Sequence, residues 1–237
     1  MLARGNYSNS RLTRGVGLVE LLIGLALGLL IMAGAITLFA KISFSGLENT
    51  RRVQLNEQLR STLNLIHKDL QRAGYVNASD GAASVGAIDV DAMALFGVIT
   101  IGGANDCITY SYDYDGDGVQ TPAETFGFRL SGGAVQRWSS IVALADCAGG
   151  SWVKLTDDAV VVQALSFSDA DSTSYEVSRD GNGDGACDPG ETCLARRKID
   201  VVITGYVAQE DPADNSTLVV SLSDEIKVKN DRYYFVP

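Results

Sequence analysis

The chain has 237 residues, 46% of them hydrophobic, and 19 Lys+Arg against 29 Asp+Glu give a net charge of −10. That acidic balance, with no basic patch interleaved with aromatics, argues against a nucleic-acid partner. A single histidine, His67, excludes a multi-histidine zinc site, and four cysteines without a Cys-x-x-Cys pair fit two disulfides in an exported domain.

Residues 1–15 are polar and basic, carrying Arg4, Arg11 and Arg14, and end on Gly15. From Val16 to Ala40 run 25 residues whose only ionisable side chain is Glu20. A helix of that length and composition spans a bilayer. Basic residues ahead of it place that end on the cytoplasmic side and the body across the membrane, where disulfides form. An ordinary secretory signal puts its small residue after the apolar region; here Gly15 precedes it, so a cut after Gly15 leaves the helix on the protein. A chain starting at Val16 carries 16 basic against 29 acidic side chains, or −13.

Beyond Lys41 the composition turns polar while helical spacing persists. Leu55, Leu59, Leu63, Ile66 and Leu70 recur at intervals of four, four, three and four, one apolar stripe on a helix that Gly74 ends. A single helix from Val16 to Ala73 is roughly 87 Å long at 1.5 Å per residue. Gly24 and Gly28 make a small-xxx-small pair suited to close helix contact, although glycine is common in membrane helices anyway. His67 sits beside the stripe, on the helix surface, with no catalytic role.

Two stretches of this helix carry a resemblance. Gly15-Val16-Gly17-Leu18-Val19-Glu20 resembles the prepilin peptidase site of type IV pilins and pseudopilins, although Val16 and Gly17 depart from the usual first two mature residues. Asp69-Leu70-Gln71-Arg72-Ala73-Gly74-Tyr75, with the span Leu21–Leu30, resembles the PilW group of minor pilins. The detailed likeness covers residues 14–75. It implies cleavage after Gly15, methylation of Val16 and an assembly role for Glu20 at the fifth mature position. The carboxylate needs a cationic partner in lipid, and the amino terminus of Val16 in a neighbouring subunit supplies one. In a plain signal anchor Glu20 would instead snorkel to the interface. Further implications are an inner-membrane stage before assembly into an extracellular pilus, with other major and minor pilins and a tip adhesin as partners. A pseudopilin of a type II secretion system shares the amino-terminal device.

From Ala82 the period changes to two. Expected strands are Ala94–Ile101, Cys107–Tyr112, Thr125–Leu130, Ala134–Trp138, Val160–Phe167, Lys198–Val207, Leu218–Leu222 and Glu225–Val228. Ser131-Gly132-Gly133 reads as a hairpin turn and Asp211–Asn215 as a loop. Arg196-Arg197-Lys198, the one compact basic run, reads as a solvated strand start. The expected fold is α+β: a leader (1–15), a transmembrane segment (16–40), its amphipathic continuation (41–75) and a β-rich domain (76–237).

That domain contains one pattern twice. Asp113-Tyr114-Asp115-Gly116-Asp117-Gly118-Val119-Gln120-Thr121-Pro122-Ala123-Glu124 fits the twelve-residue calcium loop, and Asp180-Gly181-Asn182-Gly183-Asp184-Gly185-Ala186-Cys187-Asp188-Pro189-Gly190-Glu191 fits it again. Calcium takes six to eight oxygens. Asp113, Asp115 and Asp117, and Asp180, Asn182 and Asp184, supply side-chain oxygens at positions 1, 3 and 5. Val119 and Ala186 supply backbone carbonyls at position 7. Thr121 and Asp188 stand at position 9, and Glu124 and Glu191 close the loops at position 12. Strand-like alternation on both sides of the first loop places these loops on β-hairpins rather than between helices, so a structural calcium role is expected over a signalling switch. The bland alternative is a pair of Asp-Gly turns without metal.

Four cysteines allow three pairings. The favoured one joins Cys187 to Cys193 at the end of the second loop and Cys107 to Cys147 around the first. No Gly-x-Ser-x-Gly, His-Glu-x-x-His or phosphate loop occurs, so an enzyme is not expected. A DNA-capturing pilin conflicts with the acidic charge.

Overall fold

The structure is a computed structural model and describes residues 15, 17–77, 96–102, 104–138, 147, 150–177, 182–208 and 218–237. The expected leader before Gly15, Val16, Asp180, Gly181 and the expected loop at Asp211–Asn215 lie outside the described residues. The chain divides into two compact units, Met1–Thr50 and Arg51–Pro237.

One helix, α1 (Leu18–Leu70), contains both the apolar run and the amphipathic stripe. In the first unit its side chains are exposed, among them Leu21, Ile23, Leu25, Leu29, Ile31 and Phe39. This stretch is long and apolar enough to cross a membrane as a single-pass anchor. Its one polar hydroxyl between Leu21 and Ala40 is satisfied internally, because Thr37 Oγ1 donates to Gly34 O at 2.8 Å. The helix starts at Leu18 rather than Val16, with Leu21 N donating to Gly17 O at 3.1 Å, so Glu20 falls in the first turn.

Among the described residues of the second unit, eleven strands form three antiparallel sheets. A meander contains β1 (Ile99–Ile101), β2 (Cys107–Ser111), β3 (Thr125–Ser131), β4 (Ala134–Trp138) and β5 (Trp152–Lys154) in sequence order. A second sheet has the order β10 (Val220–Lys227), β9 (Lys198–Val207) and β6 (Val160–Ser168). The third has the order β11 (Arg232–Phe235), β8 (Thr192–Arg196) and β7 (Thr173–Glu176). With α1 this is an α+β arrangement.

The stripe is what joins helix to sheet. Leu55, Leu59, Leu63, Ile66 and Leu70 are buried with Ile108, Tyr110 and Phe128 of the meander and Val162, Leu165, Phe167, Val201 and Ile203 of the second sheet. Alternation along β9 turns Ile199, Val201, Ile203 and Val207 inward. Backbone approaches side chain most closely at Gly205. A Cβ there would lie 2.8 Å from Val161 O and 3.3 Å from Leu59 Cδ2, where β6 is bulged between Val162 and Ala164.

Several expectations are corrected. The two segments around Leu218–Leu222 and Glu225–Val228 are one strand, β10, because Ser223 and Asp224 keep their register against Val202 and Val201. Four short strands, β5, β7, β8 and β11, were not expected. Thr173–Glu176 offers no apolar alternation, and its pairing is set by β8 rather than by burial. β1 is shorter than expected, and Ala94 and Leu95 lie outside the described residues. Arg197 is not a solvated strand start but a buried cation between β8 and β9. His67 on the helix surface is held by Asp224 Oδ2, 2.6 Å from its Nδ1, and Gln71 Nε2, 2.8 Å from its Nε2.

The Gly205 contact yields a test. Since Val161 O is backbone and cannot swing away, Gly205→Ala is expected to destabilise the fold by about 1–3 kcal/mol, the range for overpacking. Urea unfolding of the full chain in detergent measures it; an unchanged midpoint would contradict the close packing.

Candidate functional site

The first acidic loop joins β2 to β3, whose last pair is Ser111 and Thr125. Aromatic side chains brace its base: Tyr112 stacks on Phe126 at 4.2 Å and Tyr110 lies 6.1 Å from Phe128. Tyr114, next in the alternation, is 74% exposed at the tip. Burial, and then the Asp69 carboxylate, raise the pKa of Tyr110 well above its usual value, so it stays a neutral donor to Asp69 Oδ2 at 3.2 Å.

Within the loop, backbone amides hold the carboxylates inward. Gly116 N donates to Asp113 Oδ1 at 2.7 Å and Gly118 N to Asp113 Oδ2 at 3.1 Å. Asp117 N donates to Asp115 Oδ1 at 3.2 Å and Val119 N to Asp117 Oδ1 at 2.7 Å. Glu124, at the end of a 3-10 turn (Pro122–Glu124), folds back to accept from Tyr114 N at 2.8 Å and Thr121 N at 2.7 Å. Asp113 is 3% exposed and Glu124 1% exposed, yet among the described residues no cation pairs with either. Carboxylate oxygens of Asp113, Asp115 and Asp117 lie within 4.8 Å of one another. Calcium–oxygen distances of 2.3–2.6 Å put ligands on opposite sides of one ion about 5 Å apart, so a single ion can reach all three.

The second loop repeats this bonding at equivalent positions. Asp184 N donates to Asn182 Oδ1 at 2.9 Å and Ala186 N to Asp184 Oδ1 at 2.8 Å. Asp188 N reaches Glu191 Oε2 at 2.9 Å, as Thr121 N reaches Glu124 Oε2 in the first loop. The position-6 glycines have φ of +74° at Gly118 and +80° at Gly185, the left-handed turn that calcium loops need there. Position 1, Asp180, lies outside the described residues. The loop links β7 to β8, which pair through Glu176 and Cys193.

The cysteines pair as Cys107 with Cys147, Cα atoms 6.2 Å apart, and Cys187 with Cys193, Cα atoms 5.9 Å apart. The second bridge encloses Glu191. Arg129 Nη1 donates to Cys147 O at 2.9 Å and so ties the first bridge to β3.

Sequence spacing did not find two neighbours of these loops, nor the buried pairing of Asp69 below the first. Asn77 N donates to Asp113 Oδ2 at 2.8 Å, and Asn77 Nδ2 to Gly116 O at 3.1 Å. Glu176 Oε2 accepts from Gly183 N at 3.2 Å. Asp69, 5% exposed on α1, pairs with Arg137 Nη2 of β4 at 3.2 Å. No periodicity or motif spacing signals these contacts, since each joins residues far apart in the chain or, at Glu176, outside the twelve-residue pattern. Asp171, Asp200 and Glu225 form another acidic group, but Lys198 Nζ lies 2.8 Å from Glu225 Oε1 and no loop motif surrounds them.

The amino-terminal residues fall elsewhere in the chain. Gly15 and Glu20 flank the start of α1, and Glu20 is exposed.

A family model described as "Prepilin peptidase-dependent protein B" matches residues 48–228, which takes in the second half of α1, both acidic loops and all four cysteines. Prepilin peptidase-dependent protein B of Escherichia coli (strain K12) is 23% identical over 158 residues, 64% of this chain and 75% of that protein. No solved structure gives a significant match. Since the matched segment is well over half of the chain, this protein belongs to the prepilin peptidase-dependent protein B family, pilin-related proteins of type IV systems.

Proposed function

We propose that this chain is a minor pilin, a structural subunit used in the initiation or tip complex of a type IV pilus rather than an enzyme. One arrangement carries the reading: Gly15 and Glu20 bracket the start of an exposed apolar helix whose continuation forms the core of a β domain. On this reading prepilin peptidase cuts after Gly15, and the new amino group of Val16 pairs with Glu20 of a neighbouring subunit. The subunit waits in the inner membrane with its disulfide-bonded domain on the far side, then joins major and minor pilins, with an adhesin at the tip. The Asp69–Tyr75 helix end and the Leu21–Leu30 span support placing it near the PilW group. A minor pseudopilin of a type II secretion system is the alternative.

Co-expression with a prepilin peptidase is expected to shorten the chain by residues 1–15, read as intact mass. Gly15→Asp abolishes the cut. Glu20→Ala is still cut but no longer co-purifies with the other minor subunits. Retention of the leader by the unaltered chain would reject the reading, and recovery of secretion-system rather than pilus subunits would select the pseudopilin alternative.

The two loops are proposed as structural calcium sites. In the first, calcium would be held by Asp113, Asp115, Asp117, the Val119 carbonyl, Thr121 and Glu124. In the second it would be held by Asp180, Asn182, Asp184, the Ala186 carbonyl, Asp188 and Glu191. The buried Asp113 and Glu124 support this, because clustered carboxylates without a cation repel one another and a divalent ion offsets that cost. At free calcium a hundred times the dissociation constant, each site adds about 2.7 kcal/mol to stability. Calorimetric titration of the full chain in detergent is expected to give two calcium ions per chain, falling to one in Glu124→Ala and in Glu191→Ala. Each variant loses part of the calcium-induced rise in Tm. Identical melting in chelator and in millimolar calcium would refute the sites.

A further inference from the structure

The two loops repeat one motif but are fastened to different parts of the protein. The second is fastened to the carboxyl-terminal strand: Gly190 N donates to Val236 O at 2.7 Å and Val236 N to Glu191 O at 2.9 Å. The first is fastened to the end of α1. Gly74 N donates to Ser111 O at 2.8 Å, Asp113 N to Tyr75 O at 2.8 Å, and Asn77 N to Asp113 Oδ2 at 2.8 Å. The Asn77 side chain adds its bond to Gly116 O, and it packs closely enough that a Cβ at Gly116 would lie 3.2 Å from Asn77 Nδ2. The position-1 carboxylate of the first loop is therefore oriented partly by the segment in which the helix ends.

From this we infer that the first loop is a calcium-controlled clamp on the end of α1, with Asn77 as the positioning residue that couples them. The inference rests on the proposed calcium sites and adds a division of labour between them. A cation in the first loop fixes Asp113, and Asp113 fixes the backbone of Asn77 and, through its own amide, Tyr75. The helix end is held from its other side by groups without metal: Asn230 Nδ2 donates to Arg72 O and Ala73 O, each at 3.2 Å, and Arg197 Nη2 donates to Asn230 O at 2.6 Å. Calcium at the first loop thus adds a metal-dependent hold to a joint that backbone bonds to Ser111 and Asp113 and the Asn230 contacts already fasten. Calcium at the second loop stiffens the β7–β8 hairpin and the carboxyl terminus and leaves the joint unaffected. Because coupling is reciprocal, loosening the helix end weakens calcium binding at the first loop by the same factor and leaves the second alone.

The test is hydrogen exchange on the full chain in detergent, with calcium chloride or chelator, followed in peptides covering residues 71–77 and 111–120. Where opening of the joint releases the ion, calcium at a hundred times its dissociation constant slows exchange there about a hundredfold. Glu124→Ala abolishes that slowing and Glu191→Ala preserves it. Asn77→Pro, which removes the N–H that orients Asp113, weakens the first site about tenfold or more, as loss of an orienting partner does, without changing the second, and Asn77→Ala, which loses only the side-chain bond to Gly116 O, weakens it less. Asn77→Ser, which retains a donor, recovers part of the affinity. Two-site calcium binding with unaltered exchange at residues 71–77 overturns the clamp and leaves the calcium sites standing. Absence of calcium binding removes both.

Discussion

Burial of five aliphatic side chains on α1 is the constraint on which the rest of the described structure depends. Fully burying a Leu or Ile contributes about 1.5–3 kcal/mol. Leu55, Leu59, Leu63, Ile66 and Leu70 together therefore contribute on the order of 10 kcal/mol, comparable with the entire net stability of a domain. The second half of α1 is thus part of the core and not an attached stem. Its position fixes Asp69, a buried carboxylate that costs stability unless it is paired, and Arg137 from β4 and the neutral Tyr110 from β2 pair it. The same pairing sets the rotation of the helix against the meander, because no other helix face presents Asp69 to both strands.

A helix buried on one side must still satisfy the carbonyls of its last turn. Here three devices share that task. Gly74 turns the chain at φ +76°, and a side chain there would meet Arg197 Nη2 at 2.7 Å. Asn230, from the turn between β10 and β11, caps the carbonyls of Arg72 and Ala73. Arg197 holds Asn230 in place and also donates to Gly97 O. Burial lowers the Arg197 pKa to about 10, so the guanidinium is still a cation at neutral pH and pays for desolvation with its two carbonyl contacts. The Ala73-Gly74-Tyr75 end of the helix therefore has a local physical reason: a small buried residue, a left-handed turn, and a residue whose carbonyl receives Asp113 N.

What was legible in the sequence was what repeats locally. The stripe at helical spacing, the strands with clear alternation and the twelve-residue loops each carry their signal within a few turns or pairs, and the structure shows the stripe buried and the loops on hairpins. What was not legible depends on partners far along the chain. Thr173–Glu176 becomes a strand because β8 pairs with it, and Arg197 looked solvated because its acceptors at Gly97 and Asn230 are distant in sequence. Asn77 lies 36 residues from Asp113, so no spacing rule connects it to the loop whose first ligand it orients.

Glu20 shows how magnitudes limit what one chain can do alone. Its place in the first turn of α1 puts a negative charge beside unsatisfied helix amides, a favourable contact worth about 0.3–1 kcal/mol at exposed positions. Inserting a charge of this kind costs up to about 2.5–3.5 kcal/mol at the centre of a membrane helix. The helix terminus thus offsets only a minor part of the cost, leaving a deficit of about 2 kcal/mol if the side chain is held at that depth. At 1.4 kcal/mol per factor of ten, that deficit equals about a thirtyfold preference for any state that supplies a cation. On the proposed reading, the basic residues before Gly15 lie on the chain only until the cut. A cut there creates one new positive charge, the amino group of Val16, four residues from Glu20. If, as proposed, a neighbouring subunit brings a second copy of that amino group, the same carboxylate that penalises the isolated subunit would favour the assembled one.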